Sequence, residues 1–186
     1  ITVNRFFFQS TPNPARNLTP KRNNVTISIA VQNVRGLNTK VHTFYPNVTS
    51  SDDDVILLSE SWLSDDVLSS EYFSSRFQVY RYNKGSRGRG VIAAVRSTIQ
   101  TTNLNLHPPF DDIDILGLKL ELHGLPLQVI VVYIPPATVS YKYEELFEYL
   151  EQSVKLSINT IITGDFNIPD YNPITIETTL KGSSQV

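Results

Sequence analysis

Residues 161–170 read Ile-Ile-Thr-Gly-Asp-Phe-Asn-Ile-Pro-Asp, IITGDFNIPD. Two apolar residues lead in, and Pro169 shuts the segment down, the profile of a buried strand that stops abruptly. Side chains alternate along a strand, so Asp165 and Asn167 point to the same side. A carboxylate and an amide then stand together at a strand exit. Gly, Asp, Asn and Pro are also common turn residues, and a plain turn accounts for this stretch taken alone. The rest of the chain decides between the two.

Other apolar segments end in polar residues as well. Val25, Ile27, Ile29 and Val31 alternate with Thr26, Ser28, Ala30 and Gln32, a strand with one buried face that runs out at Gln32-Asn33. DVILLSE (54–60) is a short apolar run suited to mid-sheet and ends in Ser59-Glu60. FQVYRY (77–82) and GVIAAVR (90–96) flank NKGSRGR as one hairpin. IDILGLKLEL (113–122) and LQVIVVYI (127–134) flank HGLP as a second, and Tyr133 stands at its end. Each polar residue has an ordinary structural explanation: Asn33 as a turn cap, Glu60 as a surface acid, Tyr133 as a core ring with a bonded hydroxyl. Four strands ending this way point to one functional rim of a sheet.

Tyr143, Leu146, Phe147, Leu150 and Val154 fall on one helical stripe, with Ser140 as the expected N-cap and Glu144 and Glu145 in the first turn. Leu37, Val41, Phe44 and Val48 also keep helical spacing, and Pro46 is expected to kink or end that helix. About six strands and two helices, with hairpins in place of strict strand–helix–strand alternation, suggest a sheet sandwich with helices outside. Residues 1–23, rich in Pro, Asn and Arg, read as a disordered arm or linker, and 24–186 as the domain.

At 186 residues the chain suffices for one domain with a sizeable core. No apolar run approaches the roughly 18 residues of a membrane span. The absence of cysteine excludes disulfides and thiolate metal sites. ITVNRFFFQSTPNP has no initiator Met, as in a fragment of something longer, and FFF is too short for a signal-peptide core. The expectation is an intracellular protein, nuclear or cytoplasmic, monomeric, with no membrane partner. Sequons at Asn17, Asn24 and Asn47 fit chance in an Asn/Thr-rich chain. The net charge of −2 argues weakly against a nucleic-acid binder, but residues 1–96 carry +5 and residues 97–186 carry −7. A phosphate-binding face beside a cation site produces such a split, as does ordinary surface variation.

The strand-end residues suit phosphodiester hydrolysis. A Glu helped by Asn or Asp can hold a hard divalent cation through oxygen. An Asp beside an amide can orient and deprotonate water, and a Tyr hydroxyl can donate to a phosphate oxygen. The segment RYNKGSRGRG (81–90) carries Arg81, Lys84, Arg87 and Arg89 beside Tyr80 and Tyr82 and no acid. It reads equally as a phosphate-tracking patch with stacking aromatics and as a solvated hairpin tip. No Gly-Lys-Ser/Thr follows, so it is not a P-loop.

QNVRGL, LSESWL, GRGVIAAV, VVYIPP and TGDFNIP, in this order, resemble the endonuclease/exonuclease/phosphatase superfamily over roughly residues 25–177. More narrowly they resemble the apurinic-type endonuclease domain of non-LTR (LINE-like) retrotransposons. The resemblance implies a DNase I-like, four-layered α/β sandwich of two packed mixed β-sheets flanked by helices. It implies Mg²⁺-dependent (or Mn²⁺-dependent) nicking of DNA that exposes a 3′-OH to prime reverse transcription, with a reverse transcriptase domain of the same polyprotein as partner. Position by position, it makes Asn33 the residue beside the metal, Glu60 the principal metal ligand, Tyr133 the phosphate contact, Asp165 the water activator and Asn167 its phosphate-binding partner. Arg35, Lys84, Arg87 and Arg89 are the candidate DNA contacts. In the base-repair branch an Asp stands where this chain has Arg35, which points away from that branch. The family closes with Ser-Asp-His. This sequence ends at ETTLKGSSQV, and His42, His107 and His123 match no family position. The expectation is a domain lacking its C-terminal strands, poorly soluble and nearly inactive. A superfamily phosphatase and a vestigial, non-catalytic domain are the alternatives.

Overall fold

The computed structural model of the chain describes residues 2–9, 24–85, 87–154 and 158–168. The described strands are β1 (Thr2–Gln9), β2 (Asn24–Asn33), β3 (Val55–Ser59), β4 (Phe77–Tyr82), β5 (Val91–Arg96), β6 (Gln100–Asn103), β7 (Asp114–Leu122), β8 (Leu125–Tyr133) and β9 (Asn159–Asp165). The helices are α1 (Val41–Ser50) and α2 (Ser140–Ser153). They form a sheet of order β1-β2-β3-β5-β4 and a second of order β6-β7-β8-β9.

The sheets pack face to face because their strands alternate in register. Ile27, Ile29, Val55, Leu57, Val91 and Ala93 of the first sheet meet Leu116, Leu118, Leu120, Leu127, Val129 and Val131 of the second in one buried cluster. The opposite face of the first sheet, with Ala30, Ile56, Leu58, Ile92 and Ala94, is covered by Phe44 and Val48 of α1 and by Tyr72 and Phe73. The opposite face of the second, with Ile115, Ile130 and Val132, is covered by Tyr143, Leu146 and Leu150 of α2. The result is the expected four-layered α/β sandwich, with β3, β5 and much of β7 and β8 buried on both faces. That double burial is why these strands read as continuous apolar runs. Truncating a fully buried core residue such as Leu57 removes packing on the order of 2–5 kcal/mol.

Several local expectations are corrected. Thr2–Gln9, inside the expected arm, is a strand paired antiparallel with β2 from Thr2↔Val31 to Gln9↔Asn24. Val3 and Phe6-Phe7-Phe8 are strong β formers, and the edge of β2 gives them a partner. Residues 10–23 lie outside the described residues, as does everything past Ile168. β6 was not foreseen, because Gln-Thr-Thr-Asn has no apolar pattern; it is a short polar edge. Pro46 sits inside α1 without ending it, since Phe44 and Val48 bury the helix on both sides of it. Val139, not Ser140, caps α2, without a side-chain bond, and the first turn holds no acid. Phe147, expected on the buried stripe, is exposed.

The connectivity is what makes each sheet mixed. β2 pairs parallel with β3, and β8 pairs parallel with β9. Parallel neighbours need a crossover, which α1 and α2 supply. Each sheet therefore holds one strand–helix–strand unit, and each unit sends two strand ends the same way. No helix among the described residues is long and apolar enough to cross a membrane.

Candidate active site

The two parallel pairs deliver their C-terminal ends to one rim. In the first sheet Asn33 pairs with Ser59, and Glu60 follows directly. In the second, Tyr133 pairs with Asp165. The Asn33 amide nitrogen donates to Glu60 Oε1 at 2.7 Å and to Asp165 Oδ2 at 2.6 Å. Two carboxylates facing one amide fix its nitrogen side toward them. The Asn33 Oδ1 accepts the Arg35 backbone N–H at 3.1 Å. Asn33 thus bridges the two carboxylates through its nitrogen while its oxygen faces its own loop.

The loops behind this rim are laced together. Val34 N–H donates to Ser59 O at 3.0 Å, Gly36 N–H to Glu60 O at 2.7 Å, and Ser61 N–H to Gly90 O at 3.1 Å. Arg35, Glu60 and Asn167 hold left-handed backbones, with φ of 45°, 55° and 44°. Such conformations cost side-chain-bearing residues on the order of 1–3 kcal/mol each and cluster where surroundings dictate geometry. Gly164 has the same origin: its φ is +140°, and a Cβ there would lie 1.8 Å from Val132 O. Only glycine lets β9 close onto β8 just before Asp165.

Asp165 is framed by its own turn. Ile134 N–H donates to Asp165 O at 2.9 Å, and Asn167 N–H reaches Asp165 Oδ1 at 3.3 Å. The Asn167 side-chain amide donates to Ile134 O at 2.8 Å, which leaves one of its two N–H groups for another acceptor. Tyr143 of α2 clamps the same turn, its hydroxyl 3.1 Å from Phe166 O and 2.9 Å from Asn167 O. Sequence reasoning placed Tyr143 only on an apolar stripe, and nothing in the sequence marked its hydroxyl.

Tyr133 is buried, and burial together with the nearby Glu60 and Asp165 carboxylates pushes its hydroxyl up to about 12. It therefore stays protonated, a hydrogen-bond donor, across the working range of any enzyme.

The four candidate DNA contacts divide. Arg89 is tied to Asp114, a fully buried carboxylate: its Nη2 lies 2.5 Å from Oδ1, and its Nε 3.2 Å from both oxygens. Arg89 Nη2 also donates to Asp111 O at 2.8 Å, and Gly90 N–H donates to Asp114 Oδ2 at 2.8 Å. The Asp114 partner raises the Arg89 guanidinium above its ordinary value. Arg89 is therefore corrected from a phosphate contact to a staple between the sheets; the sequence signal was a lone acid in the apolar run IDILGL. Arg35, Lys84 and Arg87 are exposed and make no salt bridge among the described residues. Tyr80 and Tyr82, the expected stacking rings, pack instead against the inter-sheet core.

Among the described residues no group of three or more His, Cys, Asp or Glu is preassembled for a metal. The Glu60 and Asp165 carboxylates are oxygen donors drawn to one amide, which suits a hard cation that keeps much of its water, as Mg²⁺ does. The residues present fit such an ion, with Glu60 to hold it.

Two mixed sheets packed face to face, a helix layer on each, and polar strand ends at one rim define a DNase I-like α/β sandwich. Residues 30–179 match the Endonuclease/Exonuclease/phosphatase family, and the chain belongs to it. The fold is similar to that of an AP endonuclease from Archaeoglobus fulgidus, at TM-score 0.56 and 21% identity over 80% of this chain and 60% of that one. It is similar to D. rerio TDP2 complexed with a single strand DNA product, at TM-score 0.56 and 15% identity over 77% and 62%. An endonuclease/exonuclease/phosphatase family protein from Leptotrichia buccalis matches at TM-score 0.58 and 13% identity over 84% and 74%. The chain thus spans 60% of the length of the Archaeoglobus protein. No curated protein matches it significantly in sequence.

Proposed function

We propose that this chain hydrolyses phosphodiester bonds in DNA with a divalent cation, and that its nick primes reverse transcription of a non-LTR retroelement. The observation that carries the hydrolytic reading is the Asn33 bridge, which gathers Glu60 and Asp165 from different sheets at 2.7 and 2.6 Å. Solved structures described as an AP endonuclease and a 3'-5' exonuclease, and a third complexed with a single strand DNA product, support nucleic acid as the substrate. The series of motifs from QNVRGL to TGDFNIP supports the retroelement role, with a reverse transcriptase domain of the same polyprotein as partner.

Asp165 takes a proton from water as its oxygen attacks phosphorus. The P–O3′ bond breaks, and the departing oxygen takes a proton from solvent water to become the 3′-OH. The neutral Tyr133 hydroxyl donates to a non-bridging oxygen, and the second Asn167 N–H does the same. Glu60 and the Asn33 amide set the orientation of the rim. Glu60 would hold a Mg²⁺ ion, which would supply charge neutralisation at the phosphoryl oxygens.

The test is nicking of supercoiled plasmid by the purified chain with Mg²⁺, read against Glu60→Gln and Asp165→Ala at equal concentration. Nicking that disappears with EDTA and in both variants is the expected result. Cutting that persists in both variants is contamination and defeats the assignment. Phosphate release from inositol phosphates without any nicking would replace it with the phosphatase reading.

A further inference from the structure

Two residues past Glu60 stands Trp62, the single tryptophan of the chain. Its backbone is left-handed at φ 56°, and its N–H donates to Arg89 O at 2.9 Å. Gly36 packs against the indole so closely that a Cβ there would come 2.5 Å from Cε3. The indole Nε1–H is buried with no hydrogen-bond partner among the described residues, so packing and not a polar tether holds the ring. Exposed Arg87 brings its guanidinium carbon to 5.4 Å from the ring centroid. The same Gly36 donates its N–H to Glu60 O at 2.7 Å, which makes the ring a direct neighbour of the rim.

We propose that Trp62 and Arg87 form a nucleobase subsite beside the hydrolytic rim, in which the indole takes the face of an unpaired base and Arg87 takes the adjoining phosphate. The inference rests on the nucleic-acid reading of that rim. An aromatic ring next to a phosphodiester site is a sequence-tolerant platform, because every base has a π-face. Bases inside a duplex are already stacked on both sides, so the occupant is single-stranded or splayed out. In the free protein the guanidinium covers the ring. An exposed cation–π contact is weaker than base–aromatic stacking, so an arriving base displaces it. The released guanidinium is a planar fork suited to phosphate. Gly36 behind the ring keeps the platform from retreating.

Because Trp62 is the only tryptophan, its fluorescence reads the subsite directly. Wild-type protein in EDTA, where no cleavage occurs, is titrated with oligothymidylate and with a length-matched tetrahydrofuran-phosphate oligomer that has a backbone but no bases. Fluorescein anisotropy of each oligomer reports binding separately. Oligothymidylate should quench Trp62 roughly twofold or more at saturation, and the base-free oligomer should bind without that quench. Arg87→Ala should weaken both oligomers severalfold and keep the quench. Equal Trp62 fluorescence with both oligomers bound overturns the subsite and leaves the nucleic-acid reading standing. Failure of both to bind at low salt overturns both.

Discussion

Asn33 and Asp165 lie 132 residues apart along the chain and 2.6 Å apart in space. One ends a strand of the first sheet and the other ends a strand of the second, so this bond ties the sheets together at the rim. The same nitrogen reaches Glu60 Oε1 at 2.7 Å. Two carboxylates drawn toward one neutral donor repel each other, and a cation relieves that repulsion.

Glu60→Gln should therefore weaken Mn²⁺ binding by at least about tenfold, since even partners one bond removed from a metal are worth ~10–100-fold. Calorimetric titration checks this. An affinity equal to wild type takes Glu60 out of the metal site.

Arg87 and Arg89 are two residues apart and should behave as opposites. Arg89→Ala leaves the fully buried Asp114 charge without its partner, which costs about 3–5 kcal/mol. Arg87→Ala should change stability by no more than about 0.5 kcal/mol and should flatten the salt dependence of DNA binding by about one phosphate contact. Urea denaturation and binding across a salt series separate the two. Equal stability losses would mean that the Asp114 pair does not staple the fold.

Tyr133 predicts an alkaline weakness. Its folded value of about 12 lies above the ordinary 10.0, so the folded state resists ionisation. The stability this gives is fully present below pH 10 and is lost as pH rises toward 12. Each tenfold change in proton affinity is about 1.4 kcal/mol, so the loss is on the order of 3 kcal/mol. Tyr133→Phe should lose correspondingly less between pH 10 and 12 in denaturation curves. Parallel curves for the two proteins would contradict the assignment.

Tyr143→Phe deletes only the hydroxyl that faces Phe166 O and Asn167 O. Stability should fall by roughly 1 kcal/mol. Nicking should fall by up to ~10²-fold through misplacement of Asp165, with Mn²⁺ affinity unchanged. A wild-type nicking rate in this variant would show that the clamp is dispensable.

Asn33, Glu60, Tyr133 and Asp165 were legible because each breaks an apolar strand pattern at its end, and such breaks are visible one segment at a time. That they meet depends on two parallel pairings, which the sequence concealed. Pro46 argued against the first connecting helix, and parallel and antiparallel strands have the same apolar signature. Arg89 was misread because a glycine-rich basic run looks solvated, whereas its partner Asp114 stands 25 residues on, in the other sheet. Tyr143 was invisible in its role because an aromatic on a helical stripe is explained by packing alone. The strand at Thr2–Gln9 was hidden by the Pro- and Asn-rich residues that follow it.

Gly164 has a consequence for the order of events during synthesis. The ribosome has already released the strands bearing Asn33, Glu60 and Tyr133 when Asp165 emerges, and β9 docks only because Gly164 lets its backbone pass Val132. Until that moment the Asn33 bridge lacks one of its two carboxylates. A nascent chain therefore cannot complete this bridge until β9 has docked on β8.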